Sequence, residues 1–209
     1  MGRSKGEGVW IERVGVGDRA ALGVLAGAFS SHPMVPADPP GKPRHWGARK
    51  LMGAMLSVFG RAVGAAVFGA LVEGDKARAV RCVAFVYPAG WEPGWWGMGR
   101  LAWAMWRVHG WTRMVGYVRA MGALEHADPR RCLSLQILGT AEGYQGRGLG
   151  RAMLRYVAGH ARAAGYSAVA LEVVAGTAAQ RLYASEGYVE EKTVEVVGHR
   201  LCLMRLELE

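Results

Sequence analysis

The stretch Gln145-Gly146-Arg147-Gly148-Leu149-Gly150 constrains this chain more than any other. It joins two segments of different period. Residues 132–138 alternate Leu133, Leu135 and Ile137 against Cys132, Ser134 and Gln136, the pattern of a half-buried strand. From Leu149 onward, Met153, Tyr156, Val157, Ala161 and Ala164 recur at helical spacing, opposite Arg151, Arg155 and Arg162. A strand, a glycine-rich turn and a helix in that order leave backbone N–H groups unpaired at the positive end of the helix dipole. Such a turn suits a pyrophosphate. Glycine is common here, at 31 of 209 residues, so the turn alone is weak support for a ligand.

The chain is long enough to bury one good core, and we expect a single domain over 1–209. Its formal charge of +9 suits anionic ligands, but the Arg and Lys residues are scattered without a basic run, so nucleic acid is not forced. The three cysteines lie far apart with no CxxC or His/Cys cluster, which points to buried, reduced, structural residues and to no metal site. The N-terminal residues lack an apolar signal core, and the most apolar region, 51–72, is cut by Arg61. We therefore expect a cytoplasmic protein without a membrane partner.

Residues 9–14 read as a first strand, and Asp18 as the cap of a helix running to about Phe29. Residues 30–44 hold five prolines and read as a loop. Residues 46–68 read as a helix weakened by glycines. A hairpin follows, with strands over 69–73 and 79–87 joined by Gly74-Asp75-Lys76, and then one or two helices over 100–126. Strands over 132–140 and 167–174 flank the 149–164 helix. Thr177 and Gln180 form a capping-box pair opening a short helix that Gly187 stops. Two final strands turn at Gly198. The order gives an α/β fold: a mixed sheet with helices on its faces.

Three glycine-loop solutions compete for the turn. A dinucleotide fingerprint needs a glycine three positions after the second one, but Arg151 follows Gly148 and Met153 follows Gly150. A Walker A loop ends in Gly-Lys-Ser/Thr, which is missing. The third fits. Gln145-x-x-Gly148-x-Gly150 resembles the Gln/Arg-x-x-Gly-x-Gly/Ala signature of the GNAT superfamily of acyl-CoA-dependent N-acyltransferases. Residues 138–144 resemble the strand end before that signature. Ala179-Gln180-Arg181-Leu182-Tyr183-Ala184-Ser185-Glu186-Gly187-Tyr188 resembles the family's A-x-x-L/F-Y-x-x-x-G-F/Y segment. The clear resemblance covers about 132–189. Residues 84–90 and Glu125-His126-x-x-Pro129 resemble, more loosely, small-amine and puromycin-type members.

The resemblance implies a mostly antiparallel sheet with a splayed central parallel strand pair, and acetyl-CoA as co-substrate. It divides the chain into an acceptor side (1–131), an acyl-CoA core (132–189) and closing strands (190–209). Leu138, Gly139 and Thr140 would run beside the pantetheine arm. Gln145, Gly146, Arg147, Gly148, Leu149, Gly150 and Arg151 would hold the pyrophosphate through amides and guanidinium groups. Tyr183 matches the family tyrosine that gives a proton to the departing thiolate.

The base is open between Glu172, in an otherwise apolar strand, and the pair Glu125 and His126. Trp91, Trp95 and Trp96 either wall an acceptor pocket or staple a loop to the core. Two positions depart from the family pattern: Glu142 stands where proline is frequent, and Gly176 where asparagine is.

The expected activity is transfer of an acetyl group from acetyl-CoA to a primary amine of a small-molecule acceptor by direct attack. The rival is a non-catalytic acyl-CoA sensor or nucleic-acid-contacting protein on the same scaffold. A homodimer is left open.

Overall fold

The structure is a computed structural model and describes residues 2–3, 8–30, 32, 35, 37–72, 79–120 and 131–209. Its elements run β1 (Gly2–Arg3), β2 (Val9–Val14), α1 (Arg19–Phe29), α2 (Trp46–Phe59), β3 (Ala66–Val72), β4 (Val80–Pro88) and α3 (Trp95–Ala120). They continue as β5 (Cys132–Thr140), α4 (Leu149–Ala163), β6 (Ala168–Val174), α5 (Ala178–Ser185), β7 (Val189–Val196) and β8 (His199–Glu207). The strands form one sheet in the order β1-β2-β3-β4-β5-β6-β8-β7. Every pair is antiparallel except the central β5–β6 pair.

Helices cover both faces of the sheet. On one side α4 lays Met153, Leu154 and Val157 over Phe68, Ala84, Leu133 and Leu171. On the other, α1, α2 and α3 bring Leu25, Leu56 and Leu101 against Val67, Phe85 and Ile137. The two-sided cover overturns the half-buried reading of β5. Its first four residues are all buried, because the polar-phase positions Cys132 and Ser134 also lie under protein.

A β-bulge breaks the alternation of β5 as well. Phe85 pairs with Ile137 while the next residue, Val86, pairs with Leu135, so Gln136 is an extra residue. Ile137 therefore joins the α1–α3 side, whereas Leu133 and Leu135 face α4.

The sequence also placed one boundary wrongly. The helix read over 46–68 stops at Gly60, where a side chain would sit 2.6 Å from Val16 Cγ1. Ala66, Val67 and Phe68 are instead the start of β3, buried to 2% exposure or less between the two layers. Burial on both faces overrides the helical spacing there. The helical reading over 100–126 begins earlier, at Trp95, and bends at Gly110 (φ 76°, ψ 172°). The Gly74-Asp75-Lys76 turn lies outside the described residues.

Gly139 sets how closely α1 approaches the sheet. A Cβ there would lie 3.0 Å from Ala28 Cβ and 3.2 Å from Leu25 Cδ2. Gly139→Val should therefore push α1 outward and lower unfolding stability by about 1–3 kcal/mol, measured by urea titration.

Candidate functional site

The site grows from the place where β5 and β6 part. Their pairing is limited to Cys132↔Ala168, Leu133↔Val169 and Ser134↔Ala170. Beyond Ser134, β5 follows β4 alone to Thr140, while β6 follows β8 to Val174. The Gln136 bulge sits at the divergence, and a bulge bends its strand. The result is a gap through the sheet between the C-terminal ends of two parallel strands.

Residues 141–148 lead from β5 into α4 with Gly143, Gly146 and Gly148 at φ 77°, 73° and 79°. Gly148 is the N-cap, and no side chain caps the helix there. By contrast, Asp18 caps α1 and Thr177 caps α5. The first amides of α4 are thus left without a side-chain acceptor, at the positive end of a dipole. A cavity of about 390 Å³ opens in front of them, lined by Thr140, Tyr144, Gln145, Gly146, Gly148 and Gly150 on one side and Ala179 and Leu182 of α5 on the other. A side chain at Gly146 or Gly148 would meet nothing within 4 Å. The space is open where an anion would approach.

The expected cofactor residues distribute around this cavity. Arg151 reaches back to Glu186 at 2.7 Å and Arg155 to the same carboxylate at 2.9 Å, tying α4 to the end of α5. Arg147 and Arg81 lie over the Tyr144 ring, 4.9 and 4.5 Å from its centre. Gly139 faces α1 rather than the cavity, and Leu138 packs into the α4-side core. Glu142 makes only an exposed contact with Arg44 at 3.7 Å, of little energetic weight.

Tyr183 is buried in the α4-side core with its ring 5.9 Å from that of Tyr188. Burial, with the neighbouring Cys82 adding to it, pushes its phenol up to about 12. The proton stays on Tyr183 at neutral pH, so the group is a donor. Thr140 Oγ1 donates to Cys82 Sγ at 3.4 Å, which brings the end of β5 into the same corner. Burial pushes the Cys82 thiol up to about 11.

Glu172 lies on the opposite face. Its neighbours Leu171 and Val173 belong to the α4-side core, and Val174 packs with Met105 of α3. Its side chain is exposed to solvent, although many protein atoms lie in its surroundings. That crowding pushes the carboxyl up to about 7. Water that reaches the exposed side chain hydrates the ionised form and acts against this rise. Tyr87, across the sheet, is raised to about 12 by burial and then by Glu172, with a Ser134 hydrogen bond acting against them. Tyr183 and Glu172 thus lie on opposite faces of the sheet.

Glu125 and His126 lie outside the described residues. Trp91 packs edge-on against Phe59 at 6.0 Å, while Trp95 and Trp96 are exposed and lie against one another. Sequence reasoning missed Tyr87 and Ser134, whose neighbourhood with Glu172 exists only through strand pairing. It also missed Tyr144, although an aromatic beside Arg147 in a glycine loop was a usable signal. Among the polar groups, His32 is held below its ordinary range by burial and then by His199.

The turn into α5 explains one departure from the family pattern. Gly176 sits at φ 77°, a region that asparagine also tolerates, so the backbone requirement is kept. The capping box is only half formed: Thr177 Oγ1 accepts from Gln180 N at 3.3 Å, but Gln180 Oε1 accepts from Gly176 N at 2.7 Å.

Residues 92–188 match the acetyltransferase (GNAT) family. The fold matches that of histone acetyltransferase HPA2 and related acetyltransferase from Corynebacterium glutamicum, with TM-score 0.65, 19% identity and 97% of each chain covered. It also matches yncA from Salmonella typhimurium with its cofactor acetyl-CoA (TM-score 0.56, 17% identity, 97% of this chain and 95% of that one). A third match is the ribosomal-protein-S18-alanine N-acetyltransferase from Escherichia coli (TM-score 0.55, 17% identity, 96% and 94% covered). None of the curated proteins matches the sequence. The family match is confined to residues 92–188, while the solved acetyltransferases share the fold over nearly the whole chain. Among the described residues no helix is long and apolar enough to cross a membrane, and no group of metal-ligating side chains is assembled.

Proposed function

We infer that the protein transfers an acetyl group from acetyl-CoA to a primary amine of a small acceptor, working as one domain. The observation that carries this reading is the open cavity at the uncapped start of α4, beside the parted β5–β6 pair and walled by α5, the helix that carries Tyr183. Acetyl-CoA supplies the activated acetyl thioester. The amides of residues 146–150 and the Arg147 guanidinium would hold its phosphates, and the unpaired edge of β5 up to Thr140 would pair with its amide-bearing arm. Tyr183 Oη holds a proton for the departing sulfur, and Glu172, on the opposite face of the sheet, accepts the proton that the amine must lose.

Direct attack is favoured by the state of the cysteines. All three are buried, and Cys82, which neighbours Thr140 and Tyr183, has its thiol held protonated. None is suited to carry an acyl group. The test is titration with acetyl-CoA, followed by thiol release against a panel of amines. Binding with no turnover on any amine would favour a sensor, and the lack of binding would remove both readings.

The pH dependence follows from Glu172. A base works only when deprotonated, so kcat/KM should rise as pH passes through about 7, and Glu172→Gln should remove that step. Stability should run the other way. Because the folded-state pKa is raised, folding favours the protonated form, and the resulting stability is present below about 4.5 and lost as pH rises through about 7. Glu172→Gln should therefore melt higher than the parent at pH 8, and no higher at pH 4.

A further inference from the structure

α3 is a surface helix whose outer face is aromatic and basic. Its inner side is firmly seated: Leu101 is buried, Met105 joins the core, and a Cβ at Gly97 would lie 3.3 Å from Val58 of α2. Before the Gly110 bend, the exposed positions are Trp95, Trp96, Gly99, Arg100, Trp103, Trp106 and Arg107, a stripe at helical spacing. Trp95, Trp96, Trp103 and Trp106 are 72%, 69%, 55% and 45% exposed, and Trp111 just past the bend is 66% exposed. The helix contains no Asp or Glu. A solvated helix normally turns mixed charge and amide side chains outward; this one offers only indole, guanidinium and glycine.

We propose that this stripe of α3 docks the protein on an anionic lipid bilayer surface. Tryptophan prefers the boundary between headgroups and acyl chains, where its ring is apolar and its N–H finds an acceptor. Arginine beside it can keep its head among lipid phosphates while its stem lies along apolar surface. The stripe from Trp95 to Arg107 is about 18 Å of helix, enough to lie flat in the interface and far too short to span it. The lack of a spanning segment, on which the expectation of no membrane partner rested, does not bear on such a contact.

Two other occupants fit less well. A second copy packed stripe on stripe would gather four guanidinium groups in one interface, with no carboxylate from either helix to offset them. Single-stranded nucleic acid stacks on free ring faces in a basic groove. Here the stripe is convex, Trp95 and Trp96 lie 3.8 Å apart, and Trp103 meets Trp106 edge-on at 5.0 Å, so the faces are partly used.

The experiment compares binding of the full chain to phosphatidylglycerol/phosphatidylcholine vesicles and to phosphatidylcholine vesicles alone, by co-sedimentation and tryptophan emission. Binding with a blue shift on the anionic vesicles is expected, at least tenfold tighter than on the neutral ones. Arg100→Gln/Arg107→Gln should weaken it about twenty-five-fold, from roughly fivefold per arginine. Trp103→Ser/Trp106→Ser should weaken vesicle binding and reduce the blue shift while leaving the melting temperature and thiol release from acetyl-CoA in solution unchanged. Equal binding to both vesicles, or none to either, would overturn the proposal. So would binding of oligothymidylate, or self-association in sedimentation velocity, that the same variants remove while vesicle binding is missing.

Discussion

Tyr183→Phe is expected to lower the turnover of acetyl transfer by about a hundredfold while leaving the affinity for CoA within about twofold, the range for loss of a positioned proton donor. The ring is buried beside Tyr188, and phenylalanine preserves that packing while removing only the hydroxyl. The phenol is raised to about 12, so the parent enzyme holds the proton throughout the physiological range, and no pH between 6 and about 9 should rescue the variant. Single-turnover thiol release separates the chemical step from binding, and isothermal titration with CoA checks the affinity. Turnover equal to the parent would remove Tyr183 from the reaction.

Gly148→Val should fail earlier, at binding. Gly148 holds φ 79° at the N-cap of α4, where a β-branched residue is strained by about 2 kcal/mol. Space is not the obstacle, since a Cβ would meet nothing within 4 Å. The strain is relieved by letting the turn relax, which turns the amides of residues 146–150 away from a common focus. An energy of that size corresponds to about thirtyfold weaker CoA binding, and the loss should appear in Kd rather than in the maximal rate. Gly148→Asn, which tolerates the left-handed region, should lose much less. Equal losses for valine and asparagine would point to blockage of the cavity instead.

Local features were readable because they are written in near neighbours. The capped start of α1, the amphipathic face of α4 and the glycine turn between β5 and α4 all follow from residues within a few positions of one another. The same holds for the Tyr183 segment, recognised by its spacing. Where the reading went wrong, distant residues decided. The helix expected over 46–68 lost its last turns because Ala66, Val67 and Phe68 are buried between two layers contributed by remote parts of the chain. The alternation seen in 132–138 broke at Gln136 because β4 skips a residue opposite it.

By itself the sequence determined a phosphate-suited turn, the helix behind it and a tyrosine downstream, since backbone conformation and helix periodicity are set locally. Only the tertiary structure decided that β5 and β6 separate after Ser134 and Ala170, and that Tyr183 and Glu172 lie on opposite faces of the sheet. It also decided that Glu172, although exposed, has enough protein around it to raise its carboxyl above the ordinary range. The physical reason is the same in each case: strand separation, facing and desolvation depend on what packs across the sheet, and those partners lie far apart along the chain.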